Sequence, residues 1–517
     1  MEGGRAVLPE QQIRYGNREL LFSAASLRGL EGEALEQVQR MRTKMFTLTR
    51  LIDTGINNTN LTAVVGVTYR GEPYGRSEAR PWWQACYNLS TNRQAISVCE
   101  AGSLKVDIVQ GISLDSTWPG PPNLSSEIRF FNGVRDHYQI TREERGSDGF
   151  GPLNRKLTPD VFVWVPAPNV PVASDHPQGV MHAKVLVMSY QADMLRVVIG
   201  THDWGGSALD AGDYAYVQDF KLRAPGAPGA EVVVSEFASK LVNFFGYITP
   251  KVPDEEDADD MEEDTPQTER APPLYATTKL FVLDAFDVDP NGVYLVMNAP
   301  TLEASHLQAP QGSQSPVRVG PGFGALGVHG LEELDRLVDR HCAGLDFSYS
   351  DRIVAMSCSV ESGGDGTAAL KLCRAIARAG THRNESASAF GFLAVAQADA
   401  SGWQPNARDP RTSVYSEMRR APLQKLASQG MLYRFVPKEH TPLFARPWHG
   451  NFVARWNEHG IGWVLITSAR LTNAGWRGTN AELGVLYVNV EVKDYLPCNI
   501  WKLEPLDAND AFVPVPG

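Results

Sequence analysis

Met181-His182-Ala183-Lys184-Val185-Leu186-Val187-Met188 decides how this chain reads, because an altered copy, Trp448-His449-Gly450-Asn451-Phe452-Val453-Ala454, stands 449 − 182 = 267 residues downstream. Side chains alternate between the two faces of a strand, so His182 and Lys184 point one way and Ala183, Val185 and Val187 the other. One face is chemical and the other packs. Seventeen residues past each histidine stands an isoleucine in an apolar run: Ile199 within Leu195–Asp203 (LRVVIGTHD) and Ile466 within Trp463–Arg470 (WVLITSAR). Position 21 past the histidine is polar in both copies, Asp203 and Arg470. Matching spacings at that separation point to two copies of one unit.

Length agrees with a double unit. The 517 residues exceed one ordinary core and fit two domains of about 250 residues, or two halves sharing an interface. A hydrophobic content of 43% with 9% aromatics is globular and excludes disorder of the whole chain. The net charge of −12 opposes a general attraction to nucleic acid, but nine of the acidic residues fall between Asp254 and Asp264. Without them the balance is 48 − 51 = −3, which leaves room for a local basic groove. The six cysteines, Cys86, Cys99, Cys342, Cys358, Cys373 and Cys498, show no CxxC pair or metal spacing and read as free thiols of a reducing compartment. The N-terminal MEGGRAVLPEQQIRYG has no apolar core of a signal peptide, and no apolar run approaches the roughly 18 residues of a membrane span. A soluble intracellular protein with no membrane partner is expected.

Four segments follow. Residues 1–30 form an N-terminal arm with an amphipathic patch at Leu20-Leu21-Phe22, 31–250 a first half, 251–274 an acidic disordered linker, and 275–517 a second half. In the first half the periodicity predicts a helix over 31–53, strands over 61–68, 104–112 and 160–165, and a closing amphipathic helix over 230–245. In the second it predicts a strand or helix at 279–283, a strand over 292–297, a helix over 331–342, a strand from Arg352, a helix over 367–379 and a strand from Asn480. The strand at Arg352 empties into a Ser/Gly loop, Ser357 to Gly364, ahead of a helix. That loop reads either as an anion site of backbone N–H groups or as an ordinary capped turn.

A lone His-x-Lys is weak evidence, but its repeat is not. If the halves pair about a pseudo-twofold axis, His182 and His449 face each other with cationic and amide groups beside them. Such a pair suits phosphodiester transfer: one imidazole attacks phosphorus, while the other, protonated, serves the leaving oxygen and then activates water. A flanking cation offsets charge on the phosphoryl oxygens. Neither a metal nor another cofactor is called for.

His182-Ala-Lys184 with VVIGTHD, the Ser357–Gly364 loop, Trp448-His449-Gly-Asn451, TSARLTNAGW (Thr467–Trp476) and ELGVL (Glu482–Leu486) occur in an order that resembles the tyrosyl-DNA phosphodiesterase family of the phospholipase D superfamily. The most specific pieces are TSARLTNAGW and ELGVL, and the likeness runs over residues 140–490. It implies an α/β fold of two pseudo-repeated phospholipase D-like α/β/α sandwich halves with the active site at the pseudo-twofold interface. It also implies metal-independent hydrolysis of 3′-phosphotyrosyl and related adducts on DNA through a phosphohistidine. The implied partner is DNA with a blocked 3′ end, single-stranded or end-melted, including covalent topoisomerase–DNA peptide adducts, met by a monomer in the nucleus.

By position, the resemblance makes His182 the nucleophile, His449 the general acid/base, Lys184 a phosphate ligand and Glu482 the support of the histidines. Ser359 and Ser362 fall in a loop that meets DNA phosphates, and Tyr214 falls where the family has a glutamine, so it either reshapes the leaving-group side or packs; Trp448 reads either as a core aromatic or as a groove wall that stacks on a base. The family repeats His, Lys and Asn twice; here the copies read His182, Lys184, Asp203 and His449, Asn451, Arg470. Two readings stay open. Arg470 supplies the missing cation while Asn451 supplies the amide, or the second half has drifted and the chain is a catalytically weak or silent DNA-end-binding protein. A different superfamily phosphodiesterase, acting on lipid for example, is a further alternative. Asp203 resembles an aspartate that orients a histidine in the wider superfamily.

Overall fold

The computed structural model describes residues 15, 19–23, 45–46, 51, 61–68, 105–110, 153–158, 161–165, 181–190, 194–201, 204, 213–223, 235–248, 286–299, 329–345, 352–357, 359–360, 365–379, 390–396, 420–436, 450–477 and 480–511. One sheet holds β1 (Glu19–Ser23), β2 (Met45–Phe46), β3 (Leu61–Thr68), β4 (Lys105–Gln110), β5 (Leu153–Thr158), β6 (Val161–Val165), β7 (Val185–Tyr190), β8 (Met194–Gly200) and β9 (Tyr214–Lys221). Its strand order is β2-β1-β9-β8-β7-β3-β4-β6-β5. The other holds β10 (Val293–Asn298), β11 (Arg352–Met356), β12 (Phe390–Ala394), β13 (Leu432–Arg434), β14 (Asn451–Trp456), β15 (Ile461–Thr467), β16 (Glu482–Glu491) and β17 (Glu504–Pro505). Its order is β10-β16-β15-β14-β11-β12-β13-β17.

The two orders contain the same core. The run β9-β8-β7-β3-β4-β6 matches β16-β15-β14-β11-β12-β13 strand for strand, with antiparallel pairs at the histidine end and parallel pairs beyond β3 and β11. Register agrees as well. Val185 pairs with Ile199 and Phe452 with Ile466, three and seventeen residues past their histidines. On the other side, Val67 pairs with Val185 and Met356 with Phe452. A slip of one residue would turn every core side chain to the wrong face, so this coincidence is a structural repeat and not a chance of spacing.

These strands are apolar nearly throughout, as central strands covered on both faces are. Every residue of β8 and β14 is buried. Helix α1 (Glu236–Ile248) rests Phe237 on Tyr216 and Phe220 of β9 and also packs against β10, so it bridges the sheets. Helix α2 (Gly330–Cys342) buries Leu331, Leu334, Leu337 and Val338 on one stripe toward β10 and β16. Helices α3 (Thr367–Ala377) and α4 (Arg420–Ser428) pack on each other and lie over β12 and β13. Between the halves stand edge-on aromatic contacts, Tyr214 with Phe452 and Tyr216 with Tyr487.

The strands predicted at 61–68, 104–112, 160–165 and 292–297 and the helices at 230–245, 331–342 and 367–379 are present with shifted ends. Residues 19–23, assigned to the arm, instead pair with β9 as a strand of the first sheet. Of the helix predicted over 31–53, the described part includes the strand Met45–Phe46. The acidic segment 251–274 and residues 279–283 lie outside the described residues. Cys342, Cys373 and Cys498 are buried, and burial pushes the Cys342 thiol up to about 12. Among the described residues no helix is long and apolar enough to cross a membrane.

Candidate active site

His182 lies just ahead of β7, where its chain crosses to the other half. Its backbone N–H and that of Ala183 both donate to the Ala481 carbonyl, at 2.8 and 3.1 Å, and Met181 bridges to Ala481. Its side chain makes the same crossing: Nδ1 lies 2.9 Å from Oε2 of Glu482, the first residue of β16. Glu482 is filled on both oxygens. Oε2 also accepts from the Ser468 hydroxyl at 2.6 Å, and Oε1 accepts from Asn480 Nδ2 at 3.1 Å. Asn298 holds Asn480 in turn, donating from Nδ2 to its carbonyl at 2.6 Å.

Lys184 is 0% exposed, and its ammonium lies 3.0 Å from each ring nitrogen of His182 and 2.5 Å from the His182 carbonyl. Burial is the largest influence on His182 and pushes its pKa below the ordinary 6.5; Glu482 opposes the shift, and the charges of Lys184 and Arg470 add to it. Burial works against the Glu482 carboxylate, but His182, Lys184 and Ser468 together hold its pKa below the usual value. The resting pair is therefore a neutral imidazole and a carboxylate. With Nδ1–H donated to Glu482, the lone pair sits on Nε2, the nitrogen of a nucleophile.

Arg470 sits at the end of β15, before the short helix α5 (Asn473–Trp476), whose N-cap Thr472 accepts from Gly475 N–H. Its charge reaches His182 from the second half. Asn451, the counterpart of Lys184, is buried with Oδ1 2.9 Å from the Ser357 hydroxyl. Ser357 also accepts from Leu471 N–H at 3.0 Å. Ser359 is buried, and its carbonyl accepts from Leu471 N–H and from the Ser357 hydroxyl. The structure thus brings together His182, Lys184, Glu482 and Arg470, and sets Asn451 and Ser359 in a second knot around Ser357. His449, Trp448, Asp203 and Ser362 lie outside the described residues.

Two open readings narrow. Tyr214, read from sequence either as shaping the leaving-group side or as packing, is completely enclosed in the core edge-on to Phe452, and burial raises its pKa. The cause is strand alternation: the preceding residue, Asp213, turns to the polar side. At the Ser/Gly loop, open in sequence between an anion site and a capped turn, the described residues at the helix start favour the turn. Gly366 precedes α3 with φ of 82°, and the Asp365 carboxylate accepts from Thr367 N–H at 3.0 Å, so a built-in acid already serves that helix start.

Sequence reading passed over Ser468, Asn480, Thr201 and Asp213. Their hydrogen bonds match Thr201 with Ser468 and Asp213 with Glu482. Thr201 donates its hydroxyl to Asp213 at 2.8 Å as Ser468 does to Glu482; Tyr214 N–H donates to Thr201 Oγ1 at 3.0 Å as Leu483 N–H does to Ser468 Oγ at 3.1 Å. Trp204 N–H donates to Thr68 Oγ1 as Leu471 N–H does to Ser357 Oγ. Among the described residues no cluster of three or more His, Cys, Asp or Glu side chains is placed to hold a metal ion.

No family model and no curated protein sequence matches the chain. Solved structures do, and they agree on one architecture. The chain shares its fold with yeast tyrosyl-DNA phosphodiesterase. At 11% identity the likeness covers 96% of this chain and 100% of that one, with a TM-score of 0.52. A histidine-to-asparagine mutant of the yeast protein gives 10% identity over 96% and 98% of the two chains and a TM-score of 0.54. A histidine-to-arginine mutant gives 11% over 91% and 96%, with 0.51. The two-halved phospholipase D-like α/β architecture expected from the sequence is the one present.

Proposed function

We propose that this chain is a phosphodiesterase that cleaves the bond joining a tyrosyl or related adduct to the 3′ phosphate of DNA, through a phosphohistidine on His182. One observation carries the reading. His182 is buried, with Nδ1 on the Glu482 carboxylate and Nε2 facing the Lys184 ammonium. An imidazole held neutral, its lone pair turned toward a cation that can pass to the phosphoryl oxygens, is armed to attack an anionic phosphorus centre. The yeast protein that shares the fold supports the choice of substrate through its name.

In this reading Nε2 of His182 attacks phosphorus, the bond to the tyrosyl oxygen breaks, and His449 gives that oxygen a proton. His449 then takes a proton from water, the oxygen of that water attacks phosphorus, and the P–N bond returns its electron pair to Nε2, leaving a 3′ phosphate. Lys184 and Arg470 offset phosphoryl charge from either half, which supports an exchange of roles over a silent second half. The nucleophile is a ring nitrogen, so the scheme needs no metal-bound water. DNA in the nucleus is the partner in this reading, met at its unpaired 3′ end.

The test is single-turnover cleavage of a 3′-phosphotyrosyl oligonucleotide in EDTA by wild type, His182→Ala and His449→Asn. Cleavage lost in the first variant, with a covalent protein–DNA adduct trapped in the second, is the expected result. A wild-type chain that binds the oligonucleotide without cleaving it would replace this reading with the silent end-binding one.

A further inference from the structure

Asn480 has no part in the scheme above, yet it completes the carboxylate behind the nucleophile. Glu482 is 1% exposed, and a charge so buried stands only where its oxygens are paired. Oε2 is taken by His182 and Ser468, and the hydrogen bond to Oε1 comes from Asn480 Nδ2 at 3.1 Å. Both backbone polar groups of Asn480 are pinned. Its N–H donates to the Ala474 carbonyl of α5 at 3.1 Å, and its carbonyl accepts from Asn298 Nδ2 at 2.6 Å. Asn298, 1% exposed at the end of β10, accepts on Oδ1 from Gly330 N–H at the start of α2, at 2.9 Å. A flipped Asn298 amide would set N–H against N–H and oxygen against oxygen, so two backbone groups fix its orientation. Three consecutive residues then act on one histidine. Asn480 pairs the far oxygen of Glu482, the Ala481 carbonyl takes the His182 N–H, and Glu482 takes ring Nδ1.

We propose that Asn480 is a positioning residue of the nucleophile, holding the plane of the Glu482 carboxylate so that Oε2 faces His182, and that Asn298 holds Asn480 in place. The proposal rests on the reaction proposed above and deepens it. The terminal torsion of a glutamate lies in a broad well, so a bond at one oxygen fixes a point and a bond at the other fixes the plane. The amide also turns the positive end of its dipole to the carboxylate and favours the charged form. Without that donor the Glu482–His182 pair takes up a proton more readily. Such a proton costs Nε2 its lone pair, whether it makes an imidazolium or leaves the carboxyl donating to Nδ1.

The test is the nitrophenolate burst from an oligonucleotide ending in a 3′-phospho-4-nitrophenyl ester, followed across pH. That leaving group departs without a proton, so the burst reports attack by His182. Asn480→Leu copies the shape of the amide and removes its N–H donor. The burst rate should fall about 10- to 100-fold, and the acid limb of its pH profile should move up. A residue that only fills space would leave the limb where it is, so an unmoved limb or a wild-type rate would overturn the proposal. Should Asn480→Leu fail to fold, Asn480→Ala is held to the same two changes. The proton on Nδ1 of His182, assigned in the NMR spectrum of the free protein by its absence in His182→Ala, gives a second readout that needs no turnover. It should move upfield in the Asn480 variant as its hydrogen bond weakens, and an unchanged position would overturn the proposal. Wild type that gives no burst refutes the proposed function instead, and the Nδ1 proton still decides whether Asn480 places Glu482.

Discussion

The two halves are built to one hydrogen-bond plan but not to one charge plan. At the strand ends the plan is kept: Thr201 with Asp213 and Ser468 with Glu482, Thr68 with Trp204 and Ser357 with Leu471. Around His182 it is not, since Lys184 is matched by Asn451 and the charge of Arg470 comes in from the other copy. Backbone geometry tolerates little change, because register errors turn every side chain over. A cation needs only to act on the same ring, and either half can send it. Drift is therefore recorded in the charges before it is recorded in the fold.

The comparison breaks most severely at Glu482. Glu482→Gln removes the charge that orients His182, and single-turnover cleavage should fall by about 10³- to 10⁴-fold, the scale seen when an acid behind a catalytic histidine becomes an amide. Arg470→Ala should cost about 10²- to 10³-fold in kcat if the arginine replaces the lysine missing from the second copy. Asn451→Lys, which restores the repeat, should rescue part of that loss in the Arg470→Ala background. No rescue, with wild-type rates in the Arg470→Ala single variant, would mean that the second half contributes no charge.

A pH profile sharpens the same contrast. The His182 pKa lies below 6.5, so the ring stays neutral and nucleophilic as pH falls through that value, and adduct formation should decline only at lower pH. Arg470→Ala or Lys184→Met removes a charge that lowers this pKa, so the acid limb moves up; Glu482→Gln removes the opposing carboxylate, so it moves down. Movement in the reverse sense in either case would contradict the electrostatic account. The smallest effect lies at a cross-strand pair. Gly484 faces Thr467, and a Cβ there would stand 2.9 Å from both the Ile466 carbonyl and Thr467 Cβ, whereas its counterpart Ala215 faces Gly200. Gly484→Ala should cost about 1–3 kcal/mol by overpacking in thermal unfolding, unless Thr467→Gly accompanies it.

Much of this was legible from residue order. Apolar runs such as LTAVVGVT and WVLIT named their strands, and equal offsets from His182 and His449 gave the repeat. The equivalence of Asp213 and Glu482 was not legible, because they stand 31 and 33 residues past their histidines. A two-residue difference in the preceding connection hides a match that hydrogen bonds restore. The strands Phe390–Ala394 and Leu432–Arg434 escaped for a plainer reason: they are too short to display a period.

Ala481 and Glu482 are neighbours in one half, yet one carries the backbone and the other the side chain of His182 in the other half. In the language of circuits the setting of His182 is the output of an AND gate whose inputs are the two halves. Fragments 1–250 and 275–517 expressed apart should each be silent, and mixing them should return activity only in the fraction that reassociates. Cleavage would then serve as a direct count of correctly docked halves.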